Sequence, residues 1–214
     1  MTKWIDISQP LTNDMASFPG DTPFAFELTY TKQETGSVNV GQMTASLHTG
    51  THADAPFHYD ENGRTIDQLD LDRYIGKALV LDVRQSDPVT IEDLKEIKGM
   101  GVSRVLLNTS LPNNPKRFPD AMPALDPGIA PFLKEQGVNL LGVDIPSVDP
   151  ADSKELETHH ALYDNGINIL ENLMLDHVKP GIYELIALPL AIQGADGSPV
   201  RAVLRPISGK EGRP

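Results

Sequence analysis

Cysteine is missing from all 214 residues. That absence excludes disulfides, thiolate nucleophiles and the cysteine-based structural zinc sites. Positive charge is scarce, with 18 Lys and Arg against 30 Asp and Glu, and the resulting net charge of −12 repels polyanions. The basic residues stand singly, without an aromatic-interleaved stripe, so neither nucleic acid nor an anionic membrane surface is expected as a partner. No apolar run approaches the length of about eighteen residues that a membrane span needs. Met1-Thr2-Lys3-Trp4 leads into a strand-like segment with Asp6 rather than a secretory apolar region, so a cytoplasmic location is expected. A serine-hydrolase elbow is also missing, since Gly101-Val102-Ser103-Arg104-Val105 lacks the closing glycine of Gly-x-Ser-x-Gly. No linker interrupts the chain, and the length suits one domain over residues 1–214.

Against these absences, histidine is concentrated. Residues 48–58 read His48-Thr49-Gly50-Thr51-His52-Ala53-Asp54-Ala55-Pro56-Phe57-His58 and hold three of the six histidines plus a carboxylate. Upstream, Gly41, Met43, Ala45 and Leu47 alternate with Gln42, Thr44, Ser46 and His48, which predicts a half-buried strand with His48 at its polar end. His48 and His52 have helical spacing, but Gly50 between them and Pro56 behind them argue for a loop curled around a cation. Imidazole nitrogens and carboxylate oxygens without a thiolate suit zinc or manganese in a reactive site.

One loop does not close a coordination shell, and the remaining imidazoles are His159, His160 and His177. The segment from Asp152 to Leu162 reads as a short helix opened by Asp152, and on a helix His159 and His160 cannot both face one centre. The residues alone leave that choice open. The run Ile167-Asn168-Ile169-Leu170-Glu171-Asn172-Leu173 sets a carboxylate among apolar neighbours, where a bound cation would offset a burial cost of several kcal/mol.

The wider pattern mixes strands and helices. Residues 78–83, 105–109 and 138–144 are short apolar runs expected of buried central strands, and Asp82 and Asp144 at their ends are expected to cap helices. Residues 90–97 and 129–135 have helical spacing, with Thr90 and Asp126 as caps and Gly99 and Gly137 as stops. Strands are expected at residues 4–8, 24–31, 183–190 and 200–207. The architecture predicted is α/β, with a curved, partly barrel-like mixed β-sheet and helices outside it. The proline-rich stretch 110–127 reads as a surface excursion of the kind that borders a pocket.

The motif His48-x-Gly50-Thr51-His52-x-Asp54-x-Pro56-x-His58 resembles the signature of the metal-dependent cyclase-like hydrolases, and the chain as a whole resembles their bacterial kynurenine formamidases. The likeness extends through Trp4 to Leu11, Pro19 to Pro23, Leu141 to Asp144, Ser147 to Asp149 and Ile169 to Leu173. It implies a fold of the swivelling β/β/α type, a homodimer and two zinc ions per chain, with manganese as an acceptable substitute. His48, His52 and Asp54 would hold one ion, and Asp54, His159 and Glu171 the other, with Asp54 and Glu171 bridging. The resemblance favours His159 over His160, because a ligand histidine twelve residues before Glu171 matches the family pattern. His58 falls where the family has its proton-transferring histidine. Phe18 stands where these formamidases often carry a tryptophan that lines the substrate pocket; phenylalanine keeps the stacking surface and loses the indole donor.

The implied reaction is hydrolysis of N-formyl-L-kynurenine to L-kynurenine and formate, a step of tryptophan degradation. A cation with an open position lowers the pKa of water toward about 7 and polarises the carbonyl, while His58 relays the proton to the departing amine. Two rival readings keep the same residues: a hydrolase of cyclic amides such as isatin, and a non-catalytic metal-binding protein.

Overall fold

Residues 3–109 and 113–207 are described by the computed structural model. In chain order the first half supplies β1 (Ile5–Asp6), β2 (Ala25–Tyr30), the single-turn α1 (Lys32–Thr35), β3 (Val40–Thr44), β4 (His52–Asp54), β5 (Ile75–Asp82) and β6 (Arg104–Asn108). The second half supplies α2 (Ile129–Glu135), β7 (Leu140–Val143), α3 (Glu157–Asp164), β8 (Asn168–Glu171), β9 (Gly181–Ile186), β10 (Gly197–Pro199) and β11 (Val203–Pro206).

Nine strands form one mixed sheet in the order β1-β11-β9-β5-β6-β7-β8-β4-β10. β5 to β8 run parallel, and every other neighbouring pair is antiparallel. The apolar runs at residues 78–83, 105–109 and 138–144 become its centre, because strands covered on both faces need no polar alternation. Leu79, Leu81, Val105, Leu107, Leu141, Val143 and Ile169 point to one face, where Leu94, Ile97, Ile129 and Leu133 cover them. The intervening Ala78, Val80, Leu106, Leu140 and Leu170 point to the other. There they share one cluster with Ile7 and Leu204 from one end of the sheet and with Ala53 and Ala55 from the other. Inner-face residues from both ends can meet only if the sheet curls, and the expected half-barrel is what forms.

Four local expectations need correction. The helix predicted over residues 90–97 is a 3₁₀ segment, Ile91–Ile97, behind a Thr90–Asp93 capping box. Its buried Leu94 and Ile97 lie three apart, an interval that a 3₁₀ turn stacks on a single face. The strand expected to be half-buried up to His48 ends at Thr44, and its residues are exposed because, among the described residues, β3 pairs only with β2 in a separate ribbon. Met43, expected on a buried face, is 58% exposed. The carboxylates expected to cap helices do not do so: Asp82 pairs with Arg84, and Asp144 accepts from the backbone N–H and hydroxyl of Thr109. Asp126 does act near a helix start, accepting from the N–H of Gly128, and α2 is followed by Gly137 at φ 80°. Residues 110–112 of the expected excursion lie outside the described residues, and several of residues 113–123 line the main cavity. Among the described residues no helix is long and apolar enough to cross a membrane.

Candidate metal centre

The donors are gathered by strand register. β4 pairs antiparallel with β8, so His52 stands opposite Glu171 and Ala53 opposite Leu170. Side chains two apart on a strand share a face, and directly opposed residues lie close across the ladder. His52, Asp54 and Glu171 are therefore brought together, while Ala53 and Leu170 turn into the inner core. The expected loop around a cation is thus partly a strand: His48 lies in a turn, and His52 to Asp54 form β4.

The fourth element is α3, which opens at Glu157, five residues later than the expected start at Asp152. Its first-turn donors are satisfied by Asp149, whose two oxygens accept from Thr158 N–H and His159 N–H, each at 2.9 Å. Asp149 also accepts from His159 Nδ1 at 2.7 Å. The same carboxylate thus starts the helix and orients its histidine. His159 is buried and faces Asp54 and Glu171, whereas His160 is exposed, its ring 5.8 Å from that of Tyr59. The geometry separates the two histidines that spacing could not.

The distances describe one connected cluster. His48 Nδ1 lies 2.9 Å from Asp54 Oδ1, and His52 Nε2 lies 3.3 Å from the same oxygen and 3.4 Å from Glu171 Oε2. His159 Nε2 lies 3.6 Å from Asp54 Oδ2 and 3.7 Å from Glu171 Oε1. Donor atoms of His48, His52 and Asp54 fall within 4.8 Å of one another, and so do those of Asp54, His159 and Glu171. Asp54 belongs to both trios.

The protonation pattern fits a cation there. His52 Nδ1–H donates to the carbonyl of Gly50 at 2.8 Å, which leaves an Nε2 lone pair directed at two carboxylates. His159 repeats the arrangement, with Asp149 on Nδ1 and Nε2 facing Asp54 and Glu171. Acceptors facing acceptors repel unless a positive charge lies between them, and His52 Nε2 and Asp54 Oδ2 are buried with no hydrogen-bond partner among the described residues.

The pKa directions report the same demand. Burial alone would lower His52, but the adjacent carboxylates of Asp54 and Glu171 lift it to about 10. Burial opposes the rise in His159 as well, and its bond to Asp149 with the nearby carboxylate of Asp54 carries it to about 10. His48 overcomes burial through Asp196 and Asp54 and reaches about 9. Among the acids, burial and then the charge of Asp54 raise Glu171, while Asp54 is held well below the usual carboxylate range, the histidine hydrogen bonds outweighing its burial. His58 moves the other way, since burial outweighs the attraction of Asp54 and favours the neutral ring.

This cluster lies in the wall of a cavity of about 790 Å³. His58, partly exposed, stacks against His48 at 4.0 Å between ring centroids and faces the same space. Phe18 lines the cavity and meets Phe118 edge to face at 5.3 Å. His177 belongs to none of the donor trios and pairs with the carbonyl of Asp6. Two carboxylates at the site are not marked as functional by residue type or spacing, although Asp149 falls in the stretch Ser147 to Asp149 that shares the family likeness. Asp149 precedes a proline as an ordinary turn residue would, and Asp196 sits in Gly194-Ala195-Asp196-Gly197, which reads as a turn. Only the fold brings Asp196 to 3.1 Å from His48 Nε2.

A curled mixed sheet that opens a buried cluster of nitrogen and oxygen donors onto a cavity is suited to holding a metal ion beside a small molecule. The family model described as "Putative cyclase" matches residues 5–150, and the chain belongs to that family. It is 55% identical over 206 residues to the kynurenine formamidase of Bacillus cytotoxicus and 56% identical over 206 residues to that of Bacillus cereus (strain ATCC 10987 / NRS 248), in each case over 96% of this chain and 99% of the relative. Among solved structures, a potential metal-dependent hydrolase with cyclase activity matches at TM-score 0.80 and 23% identity, over 95% of this chain and 98% of that one. Isatin hydrolase A from Labrenzia aggregata matches at TM-score 0.78 and 21% identity, over 95% and 93% respectively. At these identities the solved structures establish a shared fold.

Proposed function

We propose that the chain, as one hydrolase domain over residues 1–214, hydrolyses N-formyl-L-kynurenine to L-kynurenine and formate. The observation that carries this reading is the buried His52–Asp54–His159–Glu171 cluster, with acceptor atoms facing one another at the wall of the cavity, in a chain 55% identical to named kynurenine formamidases. His48, His52 and Asp54 would hold one zinc ion and Asp54, His159 and Glu171 a second; manganese has the same donor preference and is the competing occupant. When bound, such ions supply Lewis-acid polarisation of the formyl oxygen and a lowered water pKa.

The remaining work falls to the chain itself. Gly50 and Asp149 fix the two imidazoles with their Nε2 atoms inward, so the donors are preorganised. His58, kept neutral by burial, accepts a proton from the attacking water and passes it to the aryl nitrogen as the C–N bond breaks. The water oxygen leaves in formate, and the nitrogen leaves as the arylamine. Phe18 and Phe118 offer a pair of rings for the substrate's aromatic group. The enzyme acts as a cytoplasmic homodimer on this small molecule, with neither nucleic acid nor membrane as partner.

The test is to count metal per chain on purified protein and follow N-formylkynurenine absorbance with and without a chelator. Deformylation that is lost with the metal and regained on adding zinc is expected. Metal without deformylation, combined with isatin opening, would move the chain to the cyclic-amide reading. Bound metal with neither activity would leave a metal-binding protein, and activity insensitive to chelation would overturn the mechanism.

A further inference from the structure

Beside the two trios around Asp54, a third lies on the cavity side: donor atoms of His48, His58 and Asp196 also fall within 4.8 Å of one another. Asp196 is fixed by the ladder that builds the centre. Its carbonyl accepts from Ala55 N–H at 2.8 Å, and the next residue, Gly197, pairs in register with Asp54. The neighbouring Ala195 carbonyl accepts from Ile66 N–H at 2.9 Å. Gly197 itself provides the seat for His48. A Cβ there would come within 2.9 Å of the imidazole Cε1 and 3.2 Å of Nε2, so the ring lies directly on a strand that has no side chain at that point.

We propose that Asp196 is a positioning residue of this centre, acting through His48 and His58. Its carboxylate accepts from His48 Nε2–H at 3.1 Å, which fixes the tautomer whose Nδ1 lone pair faces Asp54 at 2.9 Å. The same oxygen stands 3.7 Å from His58 Nδ1, so a small turn of either side chain would hold His58 with Nε2 free to take a proton. One carboxylate thereby sets the orientation of a ligand and of the proton carrier, and the stacked rings keep them in step. This role rests on the metal-centre reading given above.

The test compares the full chain with Asp196→Ala and Asp196→Asn, each checked for fold by circular dichroism. Zinc affinity is measured by competition with a chelating dye, and kcat and KM are measured at saturating zinc. Loss of a carboxylate that orients a ligand histidine predicts zinc affinity weakened by about 10–100-fold in Asp196→Ala, with Asp196→Asn, which keeps an acceptor without its charge, falling between. At saturating zinc, kcat should stay depressed while KM moves by no more than about twofold, because Phe18 and Phe118, the rings offered to the substrate's aromatic group, are unchanged. Zinc affinity within about twofold of the wild type in Asp196→Ala would overturn the role at His48, and full recovery of kcat would overturn the role at His58. A zinc count that falls by one per chain in both variants would make Asp196 a ligand instead. If the wild-type protein binds zinc without deformylating N-formylkynurenine, the proposed substrate fails while the affinity comparison still decides the role of Asp196.

Discussion

Replacing Glu171 by Gln keeps the side-chain shape and the oxygen that accepts from Val148 N–H at 2.8 Å, but removes one buried negative charge. The consequence depends on whether metal is present. In the metal-free protein Glu171 is raised by burial and by the charge of Asp54. A carboxyl group whose folded pKa is raised contributes stability that is present below its unfolded pKa and lost as pH rises through the folded one. At neutral pH the glutamine therefore relieves a repulsion, and metal-free Glu171→Gln should be at least as stable as the metal-free wild type. With metal the order reverses. Zinc at a thousand times its dissociation constant stabilises by about 4.1 kcal/mol, and a hundredfold loss of affinity at the same zinc concentration leaves about 1.4 kcal/mol. The difference of about 2.7 kcal/mol corresponds to roughly 5–11 °C for a chain of this size. Differential scanning fluorimetry of both proteins, with chelator and with zinc, measures the crossing directly. A glutamine variant that is less stable than the wild type under chelator, or that gains as much from zinc as the wild type does, would refute the assignment of Glu171 as a ligand beside Asp54.

Three further outcomes follow from the same geometry. His58→Ala should lower kcat by about 10²–10⁴-fold while metal content stays within a few per cent of the wild type, as element analysis would show; loss of metal would make His58 a ligand. His159→Ala should lose metal and activity together, whereas His160→Ala, whose side chain is exposed and outside the cluster, should keep both, and the opposite pattern would reverse the choice between them. Zinc affinity should rise steadily from pH 6 to pH 9, because His48 at about 9 and His52 and His159 at about 10 hold protons that metal must displace. Over the same range the metal-free protein should lose stability as pH passes above about 6.5 and climbs through those raised values, since each histidine is stabilised by its protonated pairing with carboxylates. A flat titration of zinc affinity would contradict both statements.

How legible these features are in the chain depends on how local their causes are. The central strands are readable because burial on both faces leaves continuous apolar runs such as Leu79-Val80-Leu81 and Val105-Leu106-Leu107. The clustered donors are readable because His48, His52 and Asp54 are adjacent in sequence. The misreading of Val40 to Leu47 has the opposite cause: alternation describes a strand with two unlike faces but says nothing about whether another layer covers the apolar one, and Gly41 and Met43 lie exposed while Leu47 packs against the inner core. The start of α3 is hidden for a similar reason, since Asp149 caps it from outside the helix through a tight turn with Leu156 at φ 47°. Asp196 is invisible because its partners are 148 and 138 residues away in sequence, and only strand pairing brings them within reach.

The position of the donor cluster follows from a reversal in the sheet. Strands β5 to β8 are parallel, so their carboxyl ends gather on one side, where Asn108, Asp144 and Glu171 stand. Such ends are where open α/β sheets bind ligands, most readily where strand order or sense changes. Here β4 enters antiparallel to β8, so the start of one strand meets the end of the other and His52 falls opposite Glu171. β10 then extends the ladder and delivers Asp196 to the outer side of His48. Asp54, Asp149, Glu171 and Asp196 consequently crowd three histidines within a few ångströms, in a chain that is already strongly acidic. A cation at that reversal balances a negative field that the strand pairing itself creates, which couples the stability of this edge of the sheet to the chemistry performed there.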